Sequence, residues 1–164
     1  MKKVILLAAL AIFSFSVNAQ ETAKVKLYDT AANPKADIKK AIATGQKEHK
    51  NILLQVGGNW CIWCTRFHQT VASNDTLSKI LHDNFITVHV NYDQYNKASD
   101  FWKTLNYPQR FGFPVFVILD ENGKQIHTQN SAYLEEGKGY SNQKIAEFFN
   151  GWTPDAIAGK TIKR

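Results

Sequence analysis

A five-residue apolar run, Ile52 to Val56, is followed at once by Gly57-Gly58-Asn59 and then by Trp60-Cys61-Ile62-Trp63-Cys64. The run has the length of a buried strand, the two glycines turn the chain, and Cys61 to about Ala72 reads as a helix. A strand that delivers a cysteine to the first turn of a helix constrains fold and chemistry together. Unpaired backbone N–H groups and the helix dipole at such a terminus stabilise a thiolate. Two intervening residues put Cys64 one turn along the same face, within reach of a disulfide, so that a mixed disulfide at Cys61 can be resolved intramolecularly. Cys61 is then expected to be the exposed nucleophile and Cys64 the buried resolving thiol.

These are the only two cysteines in 164 residues. A bridge closing so short a loop removes little chain entropy and is a poor structural staple, which favours chemistry over stability. The same spacing occurs in zinc sites, but those need a second ligand pair, and His68 is the only nearby candidate. No metal and no cofactor is therefore expected.

The N-terminus points to a compartment where disulfides persist. Lys2 and Lys3 precede an uncharged apolar stretch from Val4 to Val17, which ends in Val17-Asn18-Ala19 before Gln20. This is the layout of a secretory signal peptide, with cleavage expected after Ala19. The stretch is shorter than the roughly 20 residues that span a bilayer, so a stable membrane anchor is not expected. Residues 20–164 then form one domain, periplasmic or secreted. Without the leader's two lysines the net charge of +6 falls to +4, with scattered lysines and no arginine-rich block. Such a surface argues against nucleic-acid binding.

The rest of the chain alternates short strands and helices, giving an α/β class. Asn33 caps a helix opening at Pro34, and a further helix starts near Asn74 or Asp75. Ile86 to Tyr92 and Val115 to Leu119 read as strands. Asp120-Glu121-Asn122-Gly123 is a hairpin signal leading into Lys124 to Gln129, so the last two strands are expected to pair antiparallel. Phe101, Trp102 and Leu105 recur at helical spacing and read as core. Ser141 is placed to cap a terminal helix whose Ile145, Phe148, Phe149 and Trp152 form one apolar stripe. Tyr133, Glu135, Glu136 and Tyr140 read as an exposed loop.

Taken together, Trp60-Cys61-x-x-Cys64 after an apolar strand, Gly112-Phe113-Pro114 before another, and a strand-hairpin-strand-helix ending resemble the thioredoxin superfamily over roughly residues 25 to 152. The resemblance is nearest to exported thioredoxin-like proteins with tryptophan before the second cysteine. It implies a thioredoxin fold, with a central mixed β-sheet flanked by helices, and a redox-active dithiol at Cys61 and Cys64. It also implies a cis proline at Pro114 packed against the disulfide, with the Phe113 backbone pairing an extended substrate segment and Trp60 on the apolar rim. Trp63 is open to either reading, as rim or as packing.

Departures from the family pattern bear on direction. Where thioredoxins carry a buried carboxylate, six residues before the first cysteine, this chain has Gln55, and an amide accepts no proton. Ile62 and Trp63 between the cysteines offer neither charge nor side-chain hydrogen bond to the Cys61 thiolate, which argues against a powerful oxidant. His68, four residues after Cys64 on the same helical face, reads first as a simply packed or exposed histidine and second as a candidate proton acceptor. The stretch from Tyr92 to Tyr107 is longer than in a minimal thioredoxin and is a candidate substrate groove. The expected activity is thiol-disulfide exchange on exported protein disulfides, as a reductase or isomerase recharged by a membrane thiol electron donor. The alternatives are a net disulfide-introducing oxidant and a non-catalytic binding or chaperone module.

Overall fold

A computed structural model describes residues 26–160. The leader and its cleavage position lie outside the described residues. Helix α1 (Pro34–Glu48) opens as its residues dictate: the Asn33 side chain accepts from the Ala36 N–H, and Pro34 occupies the first turn. Strand β1 (Asn51–Gly57) follows, with all seven residues buried. Next come α2 (Ile62–Ala72) and α3 (Asp75–Asn84), the second capped by the Asn74 side chain on the Leu77 N–H. Strand β2 (Phe85–Asn91) continues directly from α3.

Between β2 and the next strand only Phe101–Thr104 (α4) is α-helical, and Pro108–Phe111 forms a 3₁₀ turn. The helical spacing in this segment is real but short, and Phe101, Trp102 and Leu105 are buried as core. Strands β3 (Val115–Leu119) and β4 (Gln125–Asn130) form the expected antiparallel hairpin. Asp120 makes its turn, its carboxylate accepting from the N–H groups of Asn122 and Lys124.

The chain from Ser131 to Tyr140 is not the exposed loop its polarity implied. It is a 3₁₀ turn and a two-rung hairpin, β5 (Glu135–Glu136) with β6 (Gly139–Tyr140), that buries Leu134 and Tyr140 while Tyr133 stays exposed. Tyr140 is drawn in by Phe67 and Trp63, whose rings it meets edge-on at 5.3 and 5.6 Å. Helix α5 (Asn142–Gly151) starts after Ser141, which holds the N-cap position without a side-chain hydrogen bond. It is not the last helix, because Thr153 caps a further turn, α6 (Pro154–Ile157).

The four main strands form one mixed sheet in the order β2-β1-β3-β4, β1 parallel to β2 and antiparallel to β3. Side chains alternate across it. Leu53, Phe116 and Ile118 face α2, α3 and α5 through Phe67, Val71, Leu77, Ile145 and Phe149. Ile52, Leu54, Val56, Val90, Val115 and Val117 face α1 and α4 through Ala41, Phe101 and Trp102. The sheet is thus covered on both sides, with β1 at its centre.

Candidate active site

The site grows out of the C-terminal end of β1. Gly57 ends the strand, Gly58 and Asn59 turn, and Cys61 takes the N-cap position of α2 with extended backbone angles (φ −88°, ψ 102°). The Cys61 sulfur accepts the Cys64 N–H at 3.1 Å. The donor to this sulfur therefore comes from the backbone at the helix end, with no charged side chain between the cysteines. Cys61 and Cys64 form a disulfide with their Cα atoms 5.3 Å apart. Cys64 is wholly buried. Cys61, expected to be exposed, keeps only 5 % of its surface in solvent, a narrow opening rather than an open face. The cysteine pair clusters with Tyr28, and Leu27, Trp63 and Phe113 pack against that cluster.

The rim is aromatic. Trp60 is 60 % and Ile62 58 % exposed. The Trp60 indole N–H donates to the Tyr92 carbonyl at 3.0 Å, and its ring stands edge-on to Phe113 with centroids 5.2 Å apart. Tyr92 in turn packs on Phe113 at 4.8 Å and on Trp102 at 5.1 Å. The Phe113–Pro114 peptide bond is cis. Trp63 settles as packing: it is half-buried against Tyr140, with the Arg66 guanidinium 4.7 Å from its ring centroid.

Behind the disulfide lies a buried polar group that sequence reading recognised only at Gln55. Gln55, 2 % exposed, donates from its amide to the Tyr28 hydroxyl at 3.0 Å and to the Cys64 carbonyl at 3.5 Å, the latter at the limit of a hydrogen bond. Tyr28 is 3 % exposed, and burial pushes its hydroxyl pKa upward, so it stays protonated. Its backbone is clamped to the cysteine turn, because Asn59 both accepts from the Tyr28 N–H and donates to the Tyr28 carbonyl, at 3.0 and 2.8 Å. His89, beside Gln55 in the β1–β2 register, presents its ring to Tyr28 at 5.5 Å. Burial, helped by the nearby His68, holds the His89 pKa below the usual imidazole value. His68 itself is half-buried, faces His89 at 6.4 Å, and makes no hydrogen bond to either cysteine. Of the two, it is Tyr28 and not His68 that packs in one cluster with the cysteine pair.

No cluster of three or more potential metal ligands occurs among the described residues. The stretch after β2 does line a cleft of about 580 Å³ with Asp93, Tyr95, Asn96, Phe101 and Trp102, but no residue of the cysteine motif borders it. A second cleft of about 600 Å³ opens by Asn51, at the end of β1 remote from the cysteines, and plays no part in this site.

The family model described as thioredoxin-like matches residues 33–121, which include β1, the cysteine helix and the proline that precedes β3. The chain belongs to the thioredoxin-like family. With a disulfide formed between Cys61 and Cys64 on that fold, this thioredoxin-like protein is a thiol-disulfide oxidoreductase. Among solved structures it is similar to a disulphide isomerase from Xylella fastidiosa Temecula1, with 26% identity and a TM-score of 0.68. That alignment covers 78% of this chain and 97% of the other. A thioredoxin from Thermus thermophilus, at 17% identity and a TM-score of 0.52, shares the fold over 74% of this chain and 88% of its own. No curated protein matches the chain significantly. The thioredoxin-like protein's described residues contain no helix long and apolar enough to cross a membrane.

Proposed function

We propose that the protein is an exported reductase or isomerase of protein disulfides, in which Cys61 is the nucleophile and Cys64 the resolving thiol. The observation that carries this reading is the asymmetry of the pair. Cys61 holds the helix N-cap, receives a backbone N–H and has the only solvent opening, whereas Cys64 has none. A substrate sulfur reaches Cys61 alone. The Cys61 thiolate attacks a substrate disulfide, forming a mixed disulfide and releasing one substrate thiolate. Cys64 then attacks Cys61, closes the intramolecular disulfide and releases the second.

Trp60, Ile62 and Phe113 surround the opening with apolar surface suited to an extended polypeptide, with the Phe113 backbone beside Pro114 pairing the incoming strand. The reductive direction is supported by the absence of a charged side chain between the cysteines. Similarity to a disulphide isomerase supports protein substrates. The signal-like residues 1–19 support an envelope or extracellular location, where a reductase needs a thiol donor borne by the membrane to restore its dithiol.

Cys64→Ala tests the reading directly. With the resolving thiol gone, mixed disulfides between Cys61 and exported proteins accumulate and are released by reductant. If none form, the enzyme reading fails for this pair, and unimpaired function of Cys61→Ser would assign the fold a binding or chaperone role. A reduction potential at the strongly oxidising end would reverse the direction.

A further inference from the structure

Three contacts pin Tyr28 against the redox pair from behind. Asn59 holds its backbone on both sides, and the Gln55 amide donates to its hydroxyl oxygen. A Cβ built on Gly57 would strike the Cys64 sulfur and would lie 2.6 Å from the Tyr28 hydroxyl oxygen. Sulfur and hydroxyl therefore both crowd the one position beside Gly57 that any side chain would fill, and Tyr28 packs in one cluster with the two cysteines. Since Gln55 occupies the oxygen as donor, the hydroxyl proton is free to point elsewhere, and among the described residues it donates to no other group. A disulfide sulfur is a weak acceptor, but a thiolate is a strong one.

We propose that the Tyr28 hydroxyl, aimed by Gln55, donates a hydrogen bond to the Cys64 sulfur when the disulfide opens and stabilises the thiolate released there. This rests on the reading of Cys61 and Cys64 as a cycling pair. When an external thiolate attacks Cys61, a new S–S bond forms at Cys61, the Cys61–Cys64 bond breaks, and its electron pair leaves on Cys64 as a thiolate. In the opposite direction the same thiolate is the attacking group. Tyr28 keeps its proton throughout, consistent with its buried, upward-shifted hydroxyl. Gln55 stands where the family carries a proton-accepting carboxylate and holds a hydrogen-bond donor, Tyr28, beside the sulfur, so the chemistry changes from taking the Cys64 proton to lowering the energy of the anion left behind. The titratable groups that reach Tyr28 are His89 on β2, whose ring stands 5.5 Å away, and Tyr140 on β6; His68 acts on His89, and Glu135 and Arg66 act on Tyr140.

The test is a thiolate ultraviolet titration of the full chain carrying Cys61→Ser, in which Cys64 is the only thiol, with and without Tyr28→Phe. Removing the hydroxyl is expected to raise the Cys64 midpoint by about one pH unit, the size of a charge-assisted hydrogen bond. A loss of packing alone leaves it in place, so an unchanged midpoint overturns the proposal. Should Tyr28→Phe fail to fold, Gln55→Leu, which unaims the hydroxyl, is judged by the same criterion with a smaller upward shift expected. The titration needs no turnover. An unchanged midpoint in a protein that still captures substrates sinks only this proposal, whereas a shifted midpoint in one that captures none sinks only the redox reading.

Discussion

The indole N–H of Trp60 donates to the backbone carbonyl of Tyr92, tying the residue in front of the first cysteine to the chain leaving β2. The ring so held is more than half exposed and braced by Phe113, so it forms a rigid apolar lip beside the sulfur. Trp60→Ala is expected to lower kcat/KM for protein disulfides several-fold and to leave reduction of a small disulfide nearly unchanged. Because the side chain is largely in solvent, global stability should fall by no more than about 1 kcal/mol. Parallel assays with the two substrate types and a urea melt check both parts. Equal losses on both substrates would place Trp60 in the chemistry and not in docking.

Gly57 is required by space. Its φ is ordinary for any residue, yet a Cβ there would meet the Cys64 sulfur and the Tyr28 hydroxyl. Gly57→Ala is therefore expected to cost about 1–3 kcal/mol by overpacking. It should also slow thiol-disulfide exchange by displacing the buried sulfur. Denaturant midpoints and single-turnover rates measure the two effects.

Phe67 anchors the face of the sheet that carries the cysteine helix. It lies 4.4 Å from Phe116 between ring centroids and meets Tyr140 and Phe149 edge-on, with 2 % exposure. Truncation to alanine should cost about 3–5 kcal/mol, enough to unfold many domains of this size. Equilibrium unfolding of Phe67→Ala against Phe67→Leu, which refills most of the void, separates the cavity from the loss of aromatic contact.

His89 makes stability depend on pH. Burial, and secondarily His68, holds its folded pKa below the ordinary value of 6.5. The unfolded chain therefore binds a proton that the folded chain refuses, and stability rises with pH across the interval between the two values. Above the unfolded value the residue adds no pH dependence. As pH falls below it, the folded state loses ground until the folded pKa is passed. Thermal melts between neutral and mildly acidic pH should show this acid limb, and His89→Gln should flatten it. A limb that survives the substitution unchanged belongs to other groups.

What was legible in the sequence follows from how locally each feature is determined. The Asn33 cap, the helix start at Asn74 or Asp75, the β1 run, the Asp120 turn and the cysteine pair are set by residues within a few positions of one another, and each lies where its pattern indicated. Tyr28 and Tyr140 were missed because their environments are made by tertiary neighbours. Tyr28 meets Gln55, 27 positions on, and precedes any periodic element. Tyr140 sits in a polar stretch that reads as solvent-facing until Trp63 and Phe67 are placed beside it. The exposure of Cys61 was overestimated for a related reason: the cysteine pair is packed by Tyr28 and Leu27 from before β1 and by Phe113 from the segment before β3, all distant in sequence. Gln55 was recognisable as an anomaly, but its partner was not.

All seven residues of β1 are buried, and the strand is hydrogen-bonded on both sides, to β2 and β3. Amides in such a strand exchange only when the whole domain opens. The turn bearing Cys61 springs from that strand and not from a peripheral loop. Fraying of α6 can come and go without loosening the dithiol's footing. Under heat or denaturant the exchange of small disulfides should therefore persist through local unfolding and end only with the collapse of the entire domain.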